Sequence, residues 1–240
     1  ALNGKPLIVV AIPAYNEEKT IAKEVLRAKK HVDRIIVCDD GSTDMTAEIA
    51  ECVGAEVVKH GRNLGKGAAL RTLFEIGRKI DADVFVTLDA DDQHEPNEIP
   101  NIVDPILRGE ADLVVGNRFS RANGNHIPTH RKLGNGVLNF VTNLSTNGLS
   151  DTQSGFRAYS RKALDAVDVT VEGLGADSQI LIDAKKKNVR IVEVPVSVKY
   201  PKGVKTSKSN PLRHGVDVIM SLVELVSERR PLPFLGLPGL

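Results

Sequence analysis

Short apolar, β-branched runs alternate with helix-length segments through the first half of the chain, and that alternation leaves few folds open. Residues 7–12, 34–38, 56–59, 84–88 and 113–116 read as strands, by their length and their Val and Ile content. Residues 17–30, with Ile21, Val25 and Leu26 on one face, 43–53, stopped by Gly54, and 67–79 read as helices, and a Pro-interrupted helix follows at 100–108. Parallel strands need long crossovers, so such units imply an α/β fold: a mostly parallel central sheet flanked by helices. Beyond Asn117 the pattern loosens into a polar loop to His130, a helix at 133–146, a strand near 156–159, a helix at 178–187 and a long strand at 190–199. A chain of 240 residues, 41% hydrophobic and without low-complexity tracts, can bury the core of one large α/β domain.

Charge and cysteine content narrow the partners. Lys+Arg 32 against Asp+Glu 31 gives a net charge of +1, which argues against a nucleic-acid binder working through a global positive field. Cys38 and Cys52 lack metal-ligand spacing and read as buried thiols of a reducing compartment. A strand opens within a few residues of the N-terminus, with no signal peptide before it, so the expected setting is cytoplasmic.

Chemistry concentrates at the carboxyl ends of the expected strands, where open α/β sheets bind ligands. After the strand at 84–88 come Asp89-Ala90-Asp91, then Asp92, Gln93 and His94. A continued strand period puts Asp89 and Asp91 on one side, a hard-oxygen pair suited to Mg²⁺ or Mn²⁺ carrying a diphosphate. An isolated Asp-x-Asp is more often a solvated acidic turn, so the surroundings must decide. The first strand–helix turn, Pro13-Ala14-Tyr15-Asn16-Glu17-Glu18, lacks the glycines of a dinucleotide-binding turn, which argues against an NAD enzyme. At the second, Asp39-Asp40-Gly41-Ser42-Thr43-Asp44, a carboxylate can accept from a base or ribose, and Ser42 or Thr43 can cap the next helix. Arg62-Asn63-Leu64-Gly65-Lys66-Gly67 offers backbone N–H groups and a cation to a phosphate, or simply a helix start.

In order along the chain, Ile12-Pro13-Ala14-Tyr15-Asn16-Glu17, Asp39-Asp40-Gly41-Ser42-Thr43-Asp44, Asn63-Leu64-Gly65-Lys66-Gly67, Asp89-Ala90-Asp91, Gly116-Asn117-Arg118, Asp151-Thr152-Gln153-Ser154-Gly155-Phe156-Arg157 and Thr206-Ser207-Lys208 resemble the motifs of family 2 glycosyltransferases with the GT-A fold. The subgroup it most resembles is the dolichol-phosphate mannose synthases and related polyprenyl-phosphate hexose synthases. The resemblance implies an inverting, metal-dependent transfer of a hexose, with GDP-mannose the favoured donor over UDP-glucose, onto a polyprenyl or dolichyl monophosphate. It places Pro13, Ala14, Tyr15 and Glu17 around the nucleoside, Asp39 or Asp40 on base or ribose, and Lys66 near the diphosphate. Asp89, Ala90 and Asp91 join the donor site, with Asp89, Asp91 and Gln93 around Mg²⁺ or Mn²⁺ and His94 structural beside them.

A phosphate monoester is largely ionised near pH 7, with a second pKa of about 6, so this acceptor needs positioning by cations rather than a strong base. Arg118 and Arg131 are the expected phosphate ligands, with Arg157 and Lys208 completing the pocket and Asp151 orienting Arg157, the acceptor or sugar hydroxyls. For a hydroxyl acceptor, Asp151 is the expected base. Two departures weaken the mannose assignment: Lys202 and Lys205 stand before Thr206-Ser207-Lys208 where an Arg is frequent, and Asn117 replaces a Ser or Thr. The alternatives are a transferase acting on a hydroxyl, made less favourable by the absence of Trp from the chain, and a non-catalytic nucleotide-sugar-binding module.

Residues 1–230 read as one catalytic domain: 1–117 the nucleotide-sugar half, 118–210 the acceptor half and 211–228 an amphipathic helix. The apolar tail at 231–240 follows Arg229 and Arg230 and reads as the start of a membrane region, with the domain at the cytoplasmic face.

Overall fold

The computed structural model of the chain describes residues 4–119, 148–170 and 175–199. One seven-stranded sheet has the order β3-β2-β1-β4-β6-β5-β7. The strands are β1 Ile8–Ala14, β2 Arg34–Asp39, β3 Glu56–Lys59, β4 Val84–Thr87, β5 Leu113–Asn117, β6 Arg157–Ser160 and β7 Ile191–Pro195. Around them pack α1 Ile21–Ala28, α2 Thr46–Cys52, α3 Lys66–Lys79, α4 Ile99–Leu107, α5 Arg161–Ala166 and α6 Gly175–Lys186. β6 runs antiparallel between β4 and β5, and the other pairings are parallel.

The pleat divides the core between the two faces of the sheet. Val9, Ala11, Ile36 and Cys38 point to one side, where Leu70, Leu73 and Phe74 of α3 and Ile180 and Leu181 of α6 cover them. Val10, Ile12 and Val37 point to the other, against Ile21 and Val25 of α1 and Ile99 and Ile102 of α4. Strands buried on both faces are apolar throughout, which is why the sequence shows runs rather than alternation. Phe74 meets Tyr159 edge-on at 5.1 Å and Phe85 at 5.5 Å, locking α3 onto β4 and β6.

Several boundaries differ from those read in the sequence. α1 and α2 each begin later than expected: residues 18–20 form a turn on Glu17 O, and the backbone before each helix is also bonded across to the other segment. Glu17 N–H donates to Thr46 Oγ1 at 2.7 Å, and Asn16 N–H to Ser42 Oγ at 2.8 Å. Ser42 therefore staples one loop to another and does not cap α2. α5 was not anticipated; Ser160 caps it by accepting from Ala163 N–H at 3.2 Å. β7 ends at Pro195, after which Lys199 N–H donates to Gln93 O at 2.8 Å. Cys38 is buried as expected, but Cys52, on the outer side at the end of α2, is exposed. The expected helices at 133–146 and 211–228 and the tail at 231–240 lie outside the described residues. No helix among the described residues is long and apolar enough to cross a membrane.

Candidate active site

Parallel pairing brings the carboxyl ends of β1, β2 and β4 side by side, with Ala14 in register with Asp39 and Ala11 with Thr87. The turns carrying Tyr15, Asp39 and Asp89 therefore leave from one edge of the sheet.

In the turn after β1, Asn16 takes a left-handed conformation (φ 53°), and its Oδ1 accepts from Thr43 N–H at 2.8 Å. The turns after β1 and β2 thus hold each other in shape. Asp39 and Asp40 are both buried but do different things. Asp40 Oδ1 faces His60 Nδ1 at 2.7 Å and accepts from Leu64 N–H at 3.0 Å, while its Oδ2 accepts from Gly65 N–H at 2.7 Å. Those are the backbone donors that the Asn63-Leu64-Gly65-Lys66 segment was expected to offer a phosphate, so an internal carboxylate takes that place. Asp40 builds the loop, whereas among the described residues Asp39 Oδ1 accepts a single 3.2 Å bond from Ser42 N–H.

β4 stops at Thr87 and residues 90–92 bend, with Asp92 left-handed at φ 57°. The strand period does not reach Asp89 and Asp91; the bend brings them together instead. Their proximity shows in the Asp91 carboxyl, which burial and then the charge of Asp89 push up to about 6. Gln93 donates to Asp91 from its backbone N–H at 3.1 Å and its side-chain Nε2 at 2.6 Å. Asp89 behaves oppositely: burial disfavours its charge, but Lys66 and the other nearby cations outweigh that and hold it below the usual carboxylate range. Lys66 Nζ lies 2.9 Å from Asp89 Oδ1 and 3.1 Å from Asp177 Oδ2. Asp177, in the first turn of α6, was not picked out in the sequence, where nothing local links it to residue 66.

These donors fit a hard divalent cation. Asp89, Asp91 and Gln93 supply oxygen chemistry, and Gly155 supplies room: a Cβ there would lie 2.2 Å from Asp89 Oδ2. Among the described residues no three His, Cys, Asp or Glu side chains converge as a metal cluster. Two carboxylates are the protein share expected where diphosphate oxygens complete the shell.

The residues expected around the acceptor depart further from expectation. Asp151, fully buried, takes Arg118 as a fork: Nε at 2.7 Å on Oδ2, Nη2 at 2.8 Å on Oδ1, and Arg118 N–H at 3.0 Å on Oδ2. Asp151 thus orients Arg118 and not Arg157. Glu193 of β7 secures the arrangement by accepting from the N–H groups of Ser150 and Asp151, both at 2.8 Å. Arg157 shares the core-facing side of β6 with Tyr159 and is fully enclosed. Its Nη1 and Nη2 donate to the carbonyls of Asp177 and Thr152, each at 2.8 Å, so it braces the start of α6 and is closed to an acceptor phosphate. His94 is buried against the Phe156 ring at 5.3 Å, and burial and then the Arg118 charge push its pKa down to about 4, leaving a neutral imidazole. Arg131 and Lys208 lie outside the described residues.

Comparison with known proteins identifies the family. The family model for glycosyl transferase family 2 matches residues 9–168. The UDP-N-acetylglucosamine–dolichyl-phosphate N-acetylglucosaminyltransferase of Methanococcus voltae is 35% identical over 216 residues, covering 81% of this chain and 86% of that protein. The dolichyl-phosphate hexose transferase of Haloferax volcanii is 30% identical over 230 residues, covering 93% of this chain and 95% of that one. Glucosyl-3-phosphoglycerate synthase from Mycobacterium tuberculosis, solved with Mn²⁺, UDP-glucose and phosphoglyceric acid, superposes with a TM-score of 0.71 at 26% identity, over 91% of this chain and 79% of that one. The chain belongs to glycosyl transferase family 2, a glycosyltransferase with the GT-A fold.

Proposed function

We propose that this glycosyltransferase moves a sugar, with inversion, from a nucleotide-diphosphate sugar to a polyprenyl or dolichyl monophosphate at the cytoplasmic face of a membrane. The observation that carries the acceptor reading is the state of Asp151. As the base expected for a hydroxyl acceptor, it would need an open carboxylate, yet both its oxygens are bound to Arg118. An acceptor that arrives ionised needs no such base. Two relatives named for dolichyl phosphate support the same reading. Where the relatives' donor is named it is a UDP-sugar, so a UDP-sugar takes precedence over the GDP-mannose favoured by the motif resemblance.

In this scheme an acceptor phosphate oxygen attacks the anomeric carbon from the face opposite the diphosphate. The new carbon–oxygen bond forms as the bond to the diphosphate breaks, and the electron pair leaves with the nucleotide. Asp89, Asp91 and Gln93 would hold Mg²⁺ or Mn²⁺, which when bound neutralises the charge developing on the leaving diphosphate. Lys66 adds positive charge at that end. Arg118, its guanidinium plane fixed by Asp151, meets the acceptor phosphate with Arg131 and Lys208, while Asp39, Pro13, Ala14, Tyr15 and Glu17 surround the nucleoside.

The deciding experiment offers UDP-N-acetylglucosamine, UDP-glucose and GDP-mannose to the protein with Mg²⁺ or Mn²⁺ and a short polyprenyl phosphate, beside the matching free polyprenol. Product with a UDP-sugar and the phosphate is expected. Product with the free alcohol overturns the acceptor assignment, and turnover with GDP-mannose alone restores the mannose assignment.

A further inference from the structure

Lys66 is shared between two carboxylates that reach it from different parts of the chain. It opens α3, Asp89 follows β4, and Asp177 lies in the first turn of α6. The two partners differ in setting: the Asp177 side chain is 5% exposed and that of Asp89 27%. Asp177 is a fixed post, because Arg157 donates to its carbonyl at 2.8 Å and stands 3.9 Å from its Oδ1. The Asp89 carboxylate sits against the backbone of Gly155, where a Cβ would lie 2.2 Å from its Oδ2, so only a glycine there leaves it this position beside the lysine. An ammonium 2.9 Å from Asp89 Oδ1 occupies a lone-pair direction that a divalent cation would use, and two cations on one carboxylate repel.

We propose that Lys66 competes with the divalent cation for Asp89, and that Asp177 is the positioning residue that retains Lys66 once the cation takes Asp89. Before loading, Lys66 acts as a built-in counterion, so Asp89 and Asp91 do not face each other uncompensated. After loading, the ammonium stays on Asp177 beside the arriving diphosphate. This inference rests on the metal reading above and deepens it.

The test measures Mn²⁺ affinity by calorimetry and electron paramagnetic resonance, without nucleotide, in wild type, Lys66→Gln, Asp177→Asn and the double variant, each first checked for folding by circular dichroism. Lys66→Gln should bind Mn²⁺ roughly five- to tenfold more tightly, the scale of a partly exposed ion pair removed from competition. Asp177→Asn should weaken binding in wild type, where Lys66 is thrown back onto Asp89, and have little effect in the Lys66→Gln background. Equal weakening in both backgrounds, or Mn²⁺ binding no tighter in folded Lys66→Gln, overturns the proposal. The wild type gives a readout independent of any variant's folding: the ¹⁵N resonance of the Lys66 ammonium should shift as Mg²⁺ is added, and a static resonance at saturating Mg²⁺ overturns it. A wild type that binds Mn²⁺ neither alone nor with UDP overturns the metal reading as well, an outcome distinct from tight binding that ignores Lys66.

Discussion

Asp39 and Asp40 are neighbours of identical chemistry, yet the fold gives Asp40 to the loop after β3 and leaves Asp39 at the carboxyl end of β2 with a bond from Ser42 N–H. The same division by surroundings governs Glu24, whose buried side chain faces the carboxyl groups of Asp91 and Asp92 and receives no hydrogen bond from an N–H or hydroxyl donor among the described residues. Burial, and then the charges of Asp92 and Asp91, push its pKa from 4.5 up to about 8. A carboxyl held above its unfolded value contributes stability in full below pH 4.5 and loses it as pH rises toward 8. Glu24→Gln should therefore match the wild type near pH 4.5 and exceed it above pH 8 by on the order of a few kcal/mol. Denaturant melts at both ends of that range check it, and a wild-type stability flat across them would refute it. Gly155 gives the complementary case, a residue whose value is its missing side chain. Gly155→Ala would force the Asp89 carboxylate out of place, so Mn²⁺ affinity and turnover should fall at least tenfold while the thermal midpoint moves little. Unchanged Mn²⁺ affinity in the alanine variant would remove Gly155 from the site.

At the scale of elements, α3 is the beam on which the site rests, carrying Lys66 at its start and packing Leu73 and Phe74 into the core. Its Gly77 tests packing against propensity. Alanine there gains about 1 kcal/mol of helix propensity, but its Cβ would stand 2.6 Å from Phe85 Cε2 and 3.3 Å from Leu164 Cδ2. Phe85 is fully buried and cannot yield cheaply, so overpacking of about 1–3 kcal/mol wins. Gly77→Ala should lower the thermal midpoint by several degrees, as a melting curve would show; a rise would mean that the core relaxes around it. Element direction is the level at which local reading stopped short. The strand near residue 157 was legible from its apolar content, but a two-residue period carries no sign for parallel or antiparallel. Insertion of β6 between β4 and β5 is a tertiary choice, and it buries Arg157. α5 is six residues long, too short for helical periodicity to register, although Ser160 ahead of it was a usable capping signal.

For the whole molecule, the proposed donor site draws on β1, β2, β4 and α3, so ligand binding there should be felt in global unfolding. UDP with Mn²⁺ at about a hundredfold over its dissociation constant should add about 2.7 kcal/mol and raise the midpoint by roughly 5–10 °C. Differential scanning calorimetry with UDP, GDP and Mn²⁺, singly and together, reads this, and a shift from GDP equal to that from UDP would undo the uridine preference. The sequence by itself determined the α/β alternation, the helix and strand types across the first half, the order of the motifs and the strand-end position of the acidic cluster. Those properties follow from local periodicity and from residue types tied to turns, which a short window contains. Tertiary structure alone decided which side chain meets which: Arg118 and not Arg157 on Asp151, Asp40 on the loop donors, Lys66 between Asp89 and Asp177. An ion pair or hydrogen bond depends on distances of a few ångströms between groups far apart in sequence, and only the closed sheet and its packed helices set those distances.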